Sequence, residues 1–397
     1  MTISDRPIEL APYSATSCMP GISAELGARV QPLGRRAFIV ADPGVVAAGL
    51  VGPLEQSLAD AGVEFEVFSG VEPNPTDANV AEGVEALRAF GDAVVVLVGG
   101  GSAMDCGKAI AMTAPNDGTV LDYAFAPTLD ENDAIDLASL LGATVPENEP
   151  HATVAVPTTS GTASETNGGG LITDTADDRK LTFNHDGVKP QSVLLDPALT
   201  VGLPPVPTAT CGMDALTHSI EALTSTQHNP YADGLALQAV RTVGAWLPRV
   251  MDEPTDLEGR TQMMLAAHLA GRAFSAGPLL GLVHASGHPL SAVLHQAHGQ
   301  TLASMLPHVM RFNLEVVADR YALVGQALGV EADAEAAIAA VQALSATVGT
   351  DKTLSELGAT SDHVPTLTEQ ALTDLMIMNT PRYPTRAEVT ELYHAAL

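Results

Sequence analysis

The chain has 397 residues, 46% of them apolar and 16% charged, a globular balance with room for two domains and too apolar for extensive disorder. Eighteen Lys and Arg against 47 Asp and Glu give a formal charge of −29, which disfavours nucleic acid and anionic membranes as partners and says nothing about the chemistry. Cys18, Cys106 and Cys211 form no CxxC pair, Met1–Ser14 lacks a basic region followed by an apolar one, and no apolar run reaches membrane length, so a cytoplasmic protein is expected.

In chain order, residues 37–41 (AFIVA), 93–98 (AVVVLV), 153–156 (TVAV) and 192–195 (SVLL) read as buried strands, each ended by Gly, Asp or Pro. Helical patterns at 44–62 and 77–90 lie between the first two. Strand–helix alternation with continuous apolar strands predicts a mainly parallel α/β sheet covered on both faces. The acidic stretch 127–150 is expected to be a partly helical surface excursion. Beyond the prolines at 204, 205 and 207 the strand signals end, and Ala/Leu-rich helical patterns follow at 231–251, 258–274, 332–347 and 367–378. The reading is an α/β domain over 1–203 and an all-helical domain over 204–397, with no internal repeat.

Three places in the first half suit a nucleotide. Gly99-Gly100-Gly101-Ser102 follows a strand and opens a helix over 103–112, where bare backbone N–H groups and the helix dipole can face a phosphate. Such a turn also serves structure alone, and it does not match GxGxxG. Asp42 ends the first strand, where a carboxylate can accept from a ribose hydroxyl and repel a 2′-phosphate, favouring NAD over NADP; it equally suits a turn before Pro43. The hydroxyls of Thr158, Thr159, Ser160 and Thr162 follow the third strand.

The second half carries a metal-like pattern. Asp214 and His218 stand four apart on one helical face. Of twelve histidines, His284, His288, His295 and His298 fall within fifteen residues, a density that favours a site over scattered core histidines. His284 and His298 would lie roughly 21 Å apart on a straight helix, so a shared ion requires the chain to turn back near 296–299. One carboxylate with imidazoles suits iron or zinc, and spacing does not choose between them.

At these residues the sequence resembles the iron-containing (group III) alcohol dehydrogenase family. The resemblance runs through FIVADPG, VGGGSAMDCGKAIA, VPTTSGTASE, LLDPALTVGLPP, CGMDALTHSIEA, HASGHPL…HG and NTPRYPTRAEVTELYHAAL. It implies a dinucleotide-binding α/β domain, a helical metal domain and a site in the cleft between them. It places the metal ligands on Asp214, His218, His284 and His298. His288 falls on the residue near the nicotinamide often assigned to proton relay. Cofactor contacts fall on Asp42, Gly99, Gly100, Gly101, Ser102, Thr158 and Thr159, and on Lys180. The implied reaction moves a hydride between NAD(H) and a small alcohol or aldehyde, with Fe2+ (or Zn2+) polarising the oxygen, in a homodimer or larger homo-oligomer.

Two stretches depart from the family pattern: 273–284 reads AFSAGPLLGLVH, with Pro278 inserted, and Leu302 stands where Asn is common. Both are expected around the substrate pocket. Alternatives from related architectures are a lyase of the dehydroquinate synthase type, which needs a cluster of basic side chains whereas the helical half is poor in Lys and Arg, and a metal-independent reductase of the maleylacetate reductase type, which tends to carry Asn where this chain has Asp214. A non-catalytic NAD-binding protein would have to keep four polar ligands in an apolar setting without an ion.

Overall fold

The computed structural model describes residues 13–397; residues 1–12, where a leader would stand, lie outside that range. Among the described residues, eight strands are β1 (Ala15–Cys18), β2 (Arg36–Ala41), β3 (Glu64–Phe68), β4 (Val94–Gly99), β5 (Thr153–Pro157), β6 (Gly169–Asp174), β7 (Arg179–Asn184) and β8 (Ser192–Leu195). Six form a parallel sheet in the order β1-β8-β5-β4-β2-β3, and β6 pairs antiparallel with β7 as a separate two-stranded sheet. The four expected strands are the buried ones, and one face of them, with Ile39, Val96, Val98, Val154, Val156 and Leu194, packs with Leu54 and Leu58 in one core. The other four were not expected. β1 and β3 are edge strands with half-exposed residues, and short polar edges carry no apolar run to read.

The helix expected over 44–62 is two helices, Pro43–Ala47 and Gly52–Asp60. Gly49 between them has φ +75°, a left-handed conformation that an α-helix does not continue through. The pattern at 367–378 likewise divides. The helix Val364–Leu372 ends before Asp374, whose carboxylate accepts from the Met376 N–H and starts a separate 3-10 turn, Leu375–Asn379.

β2, β4 and β5 are neighbours running in one direction, so their carboxyl ends form a continuous edge. Asp42, Gly99–Ser102 and the segment from Thr158 are thereby brought to one end of one sheet, where parallel α/β sheets present ligand sites.

The chain divides into two compact units: Tyr13–Ala126 with Ala138–Leu203, which holds the sheets, and Pro127–Leu137 with Pro204–Leu397, which is helical. The helical unit thus draws in one short segment of the acidic excursion, tied there by the Arg386 guanidinium on Asp133 at 2.6 Å. Pro205 opens the helix Pro205–Thr224, since a first-turn residue needs no backbone donor. This helix is buried almost throughout. Thr217, Ser219 and Thr224 turn their hydroxyls back onto the carbonyls of Met213, Ala215 and Ile220, so their polarity is satisfied inside the helix. Among the described residues, no helix is long and apolar enough to cross a membrane.

The helices Leu282–Val293 and His298–Ala327 pack on each other across a tight turn in which His295 takes φ +53°. His295 is therefore a reversal residue, in a left-handed conformation that His, like Asn and Asp, adopts more readily than most residues with a side chain. The returning helix begins at His298 itself. It crosses the Pro205–Thr224 helix where Gly299 lies against the backbone: a Cβ on Gly299 would stand 2.2 Å from the Thr210 carbonyl oxygen. Backbone cannot yield as a flexible side chain would. Gly299→Ala is predicted to force these helices apart at a loss of about 1–3 kcal/mol, lowering the thermal midpoint by several degrees. An unchanged midpoint by calorimetry would show that the crossing is slack.

Candidate functional site

On the Pro205–Thr224 helix, Asp214, His218 and Glu221 follow one face at spacings of four and three. His284 comes from the third position of the Leu282–Val293 helix and His298 from the first of the next. Asp214, His284 and His298 each offer a donor atom within 4.8 Å of the others. His218 stands beside them, its Nε2 3.3 Å from Asp214 Oδ1 and its ring stacked on His284 at 4.8 Å between centroids. The Nε2 atoms of His284 and His298 lie 3.7 and 3.8 Å from the same oxygen.

These separations are informative. Donors 2.0–2.2 Å from a tetrahedral ion are spaced about 3.3–3.6 Å apart. A directly hydrogen-bonded pair would sit closer, near 2.9 Å. Asp214 Oδ1 and His284 Nε2 are buried and make no hydrogen bond. An uncompensated polar atom in the interior is expensive, and an ion among the donors removes that penalty. The residues present therefore fit a divalent metal of the iron or zinc kind. Exposure locates the open side: His298 is 23% exposed, whereas Asp214, His218 and His284 are nearly sealed.

Charge in the cluster follows from its neighbours. Burial alone would raise the Asp214 pKa, but the His218 and His284 imidazoles outweigh it and hold the carboxyl below its ordinary value. Burial would likewise lower that of His284, yet the Glu221 and Asp214 carboxylates push it up to about 9. Glu221 takes the His284 Nδ1 side in a short hydrogen bond.

His288 is held by a different carboxylate. Its Nδ1 bonds Asp374 Oδ2 at 2.7 Å, and its ring stacks on His298 at 5.2 Å. Asp374 is buried, which would raise its pKa, but the adjacent His288 more than offsets this and lowers it. Leu302 is not at an open pocket: it is fully buried against Gly287, where a Cβ would come within 2.5 Å of it. The substitution of Asn by Leu there serves helix packing. In the other departing stretch, the Pro278 carbonyl accepts from Ser225 Oγ at 2.6 Å, and Leu279, at φ +55°, is 46% exposed.

In the sheet unit, the helix Gly101–Thr113 starts at Gly100 with no side-chain cap. The hydroxyls of Thr159, Ser160 and Thr162 are buried without hydrogen-bond partners. A Cβ on Gly100 or Gly101 would press on Thr159 or Thr162 at 3.3 and 2.9 Å, so the bare glycines leave the space between loop and hydroxyls unfilled. Orphaned hydroxyls beside an uncapped helix N-terminus suit an anionic phosphate. The Thr158 N–H donates to the Gly99 carbonyl at 2.9 Å and joins the two loops. Asp42 plays the turn role: Oδ1 caps the Pro43–Ala47 helix through the Val45 N–H, while Oδ2 lies toward Gly99. Lys180 sits on β7 opposite Thr173, in the separate two-stranded sheet and not at the three strand ends.

Four supporting residues escape the sequence reading. Glu221 had a signal, being the next residue on the Asp214/His218 face. Lys108, a lone cation in the apolar Gly101–Thr113 helix, is fully buried and donates to the carbonyls of Ser164 and Gly169, while Asp105 accepts from Ser164 Oγ and the Leu171 N–H. Together they pin the segment that follows the hydroxyls. Asp374 had no local signal, since its partner lies 86 residues away.

Residues 15–197 match the family model "Iron-containing alcohol dehydrogenase", and residues 208–397 match "Fe-containing alcohol dehydrogenase family, C-terminal". The probable alcohol dehydrogenase EutG of Salmonella typhimurium is 37% identical over 383 residues, covering 96% of this chain and 92% of the relative. The NAD-dependent methanol dehydrogenase of Bacillus methanolicus is 31% identical, covering 95% and 96%. A crystal structure of 1,3-propanediol oxidoreductase superposes with a TM-score of 0.89 at 33% identity, over 99% of this chain and all of that one. Matched along both halves, this chain belongs to the iron-containing alcohol dehydrogenase family and is an alcohol dehydrogenase.

Proposed function

We propose that Asp214, His218, His284 and His298 hold the metal, that His288 relays the proton, and that Asp42, Gly99, Gly100, Gly101, Ser102, Thr158, Thr159 and Lys180 contact the dinucleotide. The enzyme is an oxidoreductase that moves a hydride between NAD(H) and an alcohol or aldehyde, with iron as its metal. The observation that carries the ligand assignment is the trio of imidazole nitrogens 3.3–3.8 Å from one buried, unbonded carboxylate oxygen.

Iron, when bound, supplies a Lewis acid for the substrate oxygen, and the nicotinamide supplies the hydride acceptor or donor. The chain does the rest. Asp214 brings one negative charge, so the set of one carboxylate and three neutral imidazoles leaves a divalent ion with net positive charge. The partly open edge at His298 is where a small alcohol or aldehyde would approach. Asp374 holds His288 by Nδ1, which leaves the other ring nitrogen as the one able to exchange a proton at its Nε2. The reading includes a cytoplasmic setting, where the three cysteines would stay the free thiols they are here. The reading extends to a homodimer or larger assembly, to which the exposed apolar Leu137, Leu141 and Val145 would contribute.

Two outcomes test these roles. Asp214→Ala and His284→Ala, purified without oxygen, are predicted to contain almost no iron by elemental analysis and to lose turnover. His288→Ala should keep its iron and lose about 100-fold or more in alcohol oxidation. An iron-free ligand variant with full turnover would end this account. For the cofactor, Asp42→Ser keeps an oxygen that can cap Val45 but removes the carboxylate charge. Its kcat/KM ratio for NADPH over NADH is predicted to rise at least about tenfold. An unchanged ratio would reduce Asp42 to its helix-capping task.

A further inference from the structure

The helix Leu282–Val293 carries the ligand His284 in its first turn, yet its N-cap residue is Gly281, which has no side chain to cap it. The orphan donors are met from another helix. Glu221 Oε1 accepts from the Val283 N–H at 2.7 Å, with the His284 N–H at 3.4 Å from the same oxygen. Its second oxygen, Oε2, takes the His284 ring at Nδ1. The bare Gly281 leaves room for this approach, because a Cβ there would stand 3.1 Å from Oε1, tighter than an ordinary contact. One carboxylate, 6% exposed, thus fixes both the backbone and the ring of the same residue.

From this we infer that Glu221 is a positioning residue that sets metal affinity by coupling the cap of the Leu282–Val293 helix to the tautomer of His284; the inference rests on His284 being a metal ligand. The Nδ1 proton is donated to Oε2, which leaves the Nε2 lone pair facing Asp214 Oδ1 at 3.7 Å. A negative charge at a helix N-terminus also favours the helix. The two tasks demand two acceptor atoms, and only a carboxylate has them. A glutamine of the same shape has one oxygen and one NH2. If its oxygen serves the Val283 N–H, its NH2 faces Nδ1 and selects the tautomer with the proton on Nε2, the atom the metal needs. If it turns over, the helix cap is lost.

The test is ferrous-ion affinity of Glu221→Gln against the unaltered enzyme, by anaerobic competition with a chromophoric chelator, on protein shown to be folded by circular dichroism. Affinity is expected to fall about 10- to 100-fold. A purely structural Glu221 would lower the unfolding midpoint and leave the affinity of the folded protein alone, which would overturn the inference. A second readout does not depend on the variant folding. In the unaltered enzyme loaded with Zn2+ and labelled with 15N-histidine, His284 should show a proton on Nδ1 and metal on Nε2; metal on Nδ1 would contradict the coupling. If the unaltered enzyme binds no metal, the ligand assignment itself fails. If it binds metal and Glu221→Gln binds as tightly, only the role of Glu221 falls.

Discussion

A carboxylate held away from water among imidazoles is tolerable only if charge and hydrogen bonding around it are balanced, and Asp214 imposes that constraint on the helical unit. Its Oδ1 makes no hydrogen bond, while three imidazole nitrogens stand near it at separations better suited to a shared ion than to direct bonding. Bringing those nitrogens together requires three helix starts or faces to converge. The Pro205–Thr224 helix gives two groups, and a sharp reversal at His295 returns the chain so that His298 opens a new helix beside His284. The close crossing at Gly299 then sets how near His298 comes to Asp214. Small residues and back-bonded hydroxyls along the buried helix serve the same end, since they let helices approach without leaving polar groups unmet.

The neighbours of the histidines divide the labour within the cluster. His284 and His288 sit four apart on one helix, and each is held through Nδ1 by a buried carboxylate, Glu221 in one case and Asp374 in the other. The difference lies in what the far nitrogen faces. For His284 it is Asp214, and for His288 the ring stacks along His298 instead. Similar dyads on adjacent turns can therefore support different tasks, one binding and one proton-carrying. In the sheet unit the arrangement is simpler. Adjacent parallel strands end together, and unfilled space between bare glycines and unbonded hydroxyls lies at that edge.

Much of this was legible in the sequence, for physical reasons that also explain what was not. Continuous apolar runs mark strands buried on both faces, so β2, β4, β5 and β8 could be read directly. Edge strands such as β3, with its alternating EFEVF, are shared with solvent and leave a fainter trace. The need for a reversal between His284 and His298 followed from helix rise alone, but nothing in the sequence marked His295 as the residue that supplies it. Glu221 was readable from the spacing that linked Asp214 to His218. Asp374 was not, because a contact across 86 residues has no periodicity. Leu302 drew attention as a departure near the site, whereas it fills the gap over Gly287, a packing fact invisible without the facing helix.

The central claim, that these four side chains hold one ion, is tested most directly by diffraction from crystals of the enzyme loaded with Fe2+ under anaerobic conditions, using data collected on both sides of the iron absorption edge. The account predicts one anomalous peak about 2.0–2.2 Å from Asp214 Oδ1 and from nitrogens of His218, His284 and His298. A peak held by other residues, or iron that binds without engaging Asp214, would contradict it.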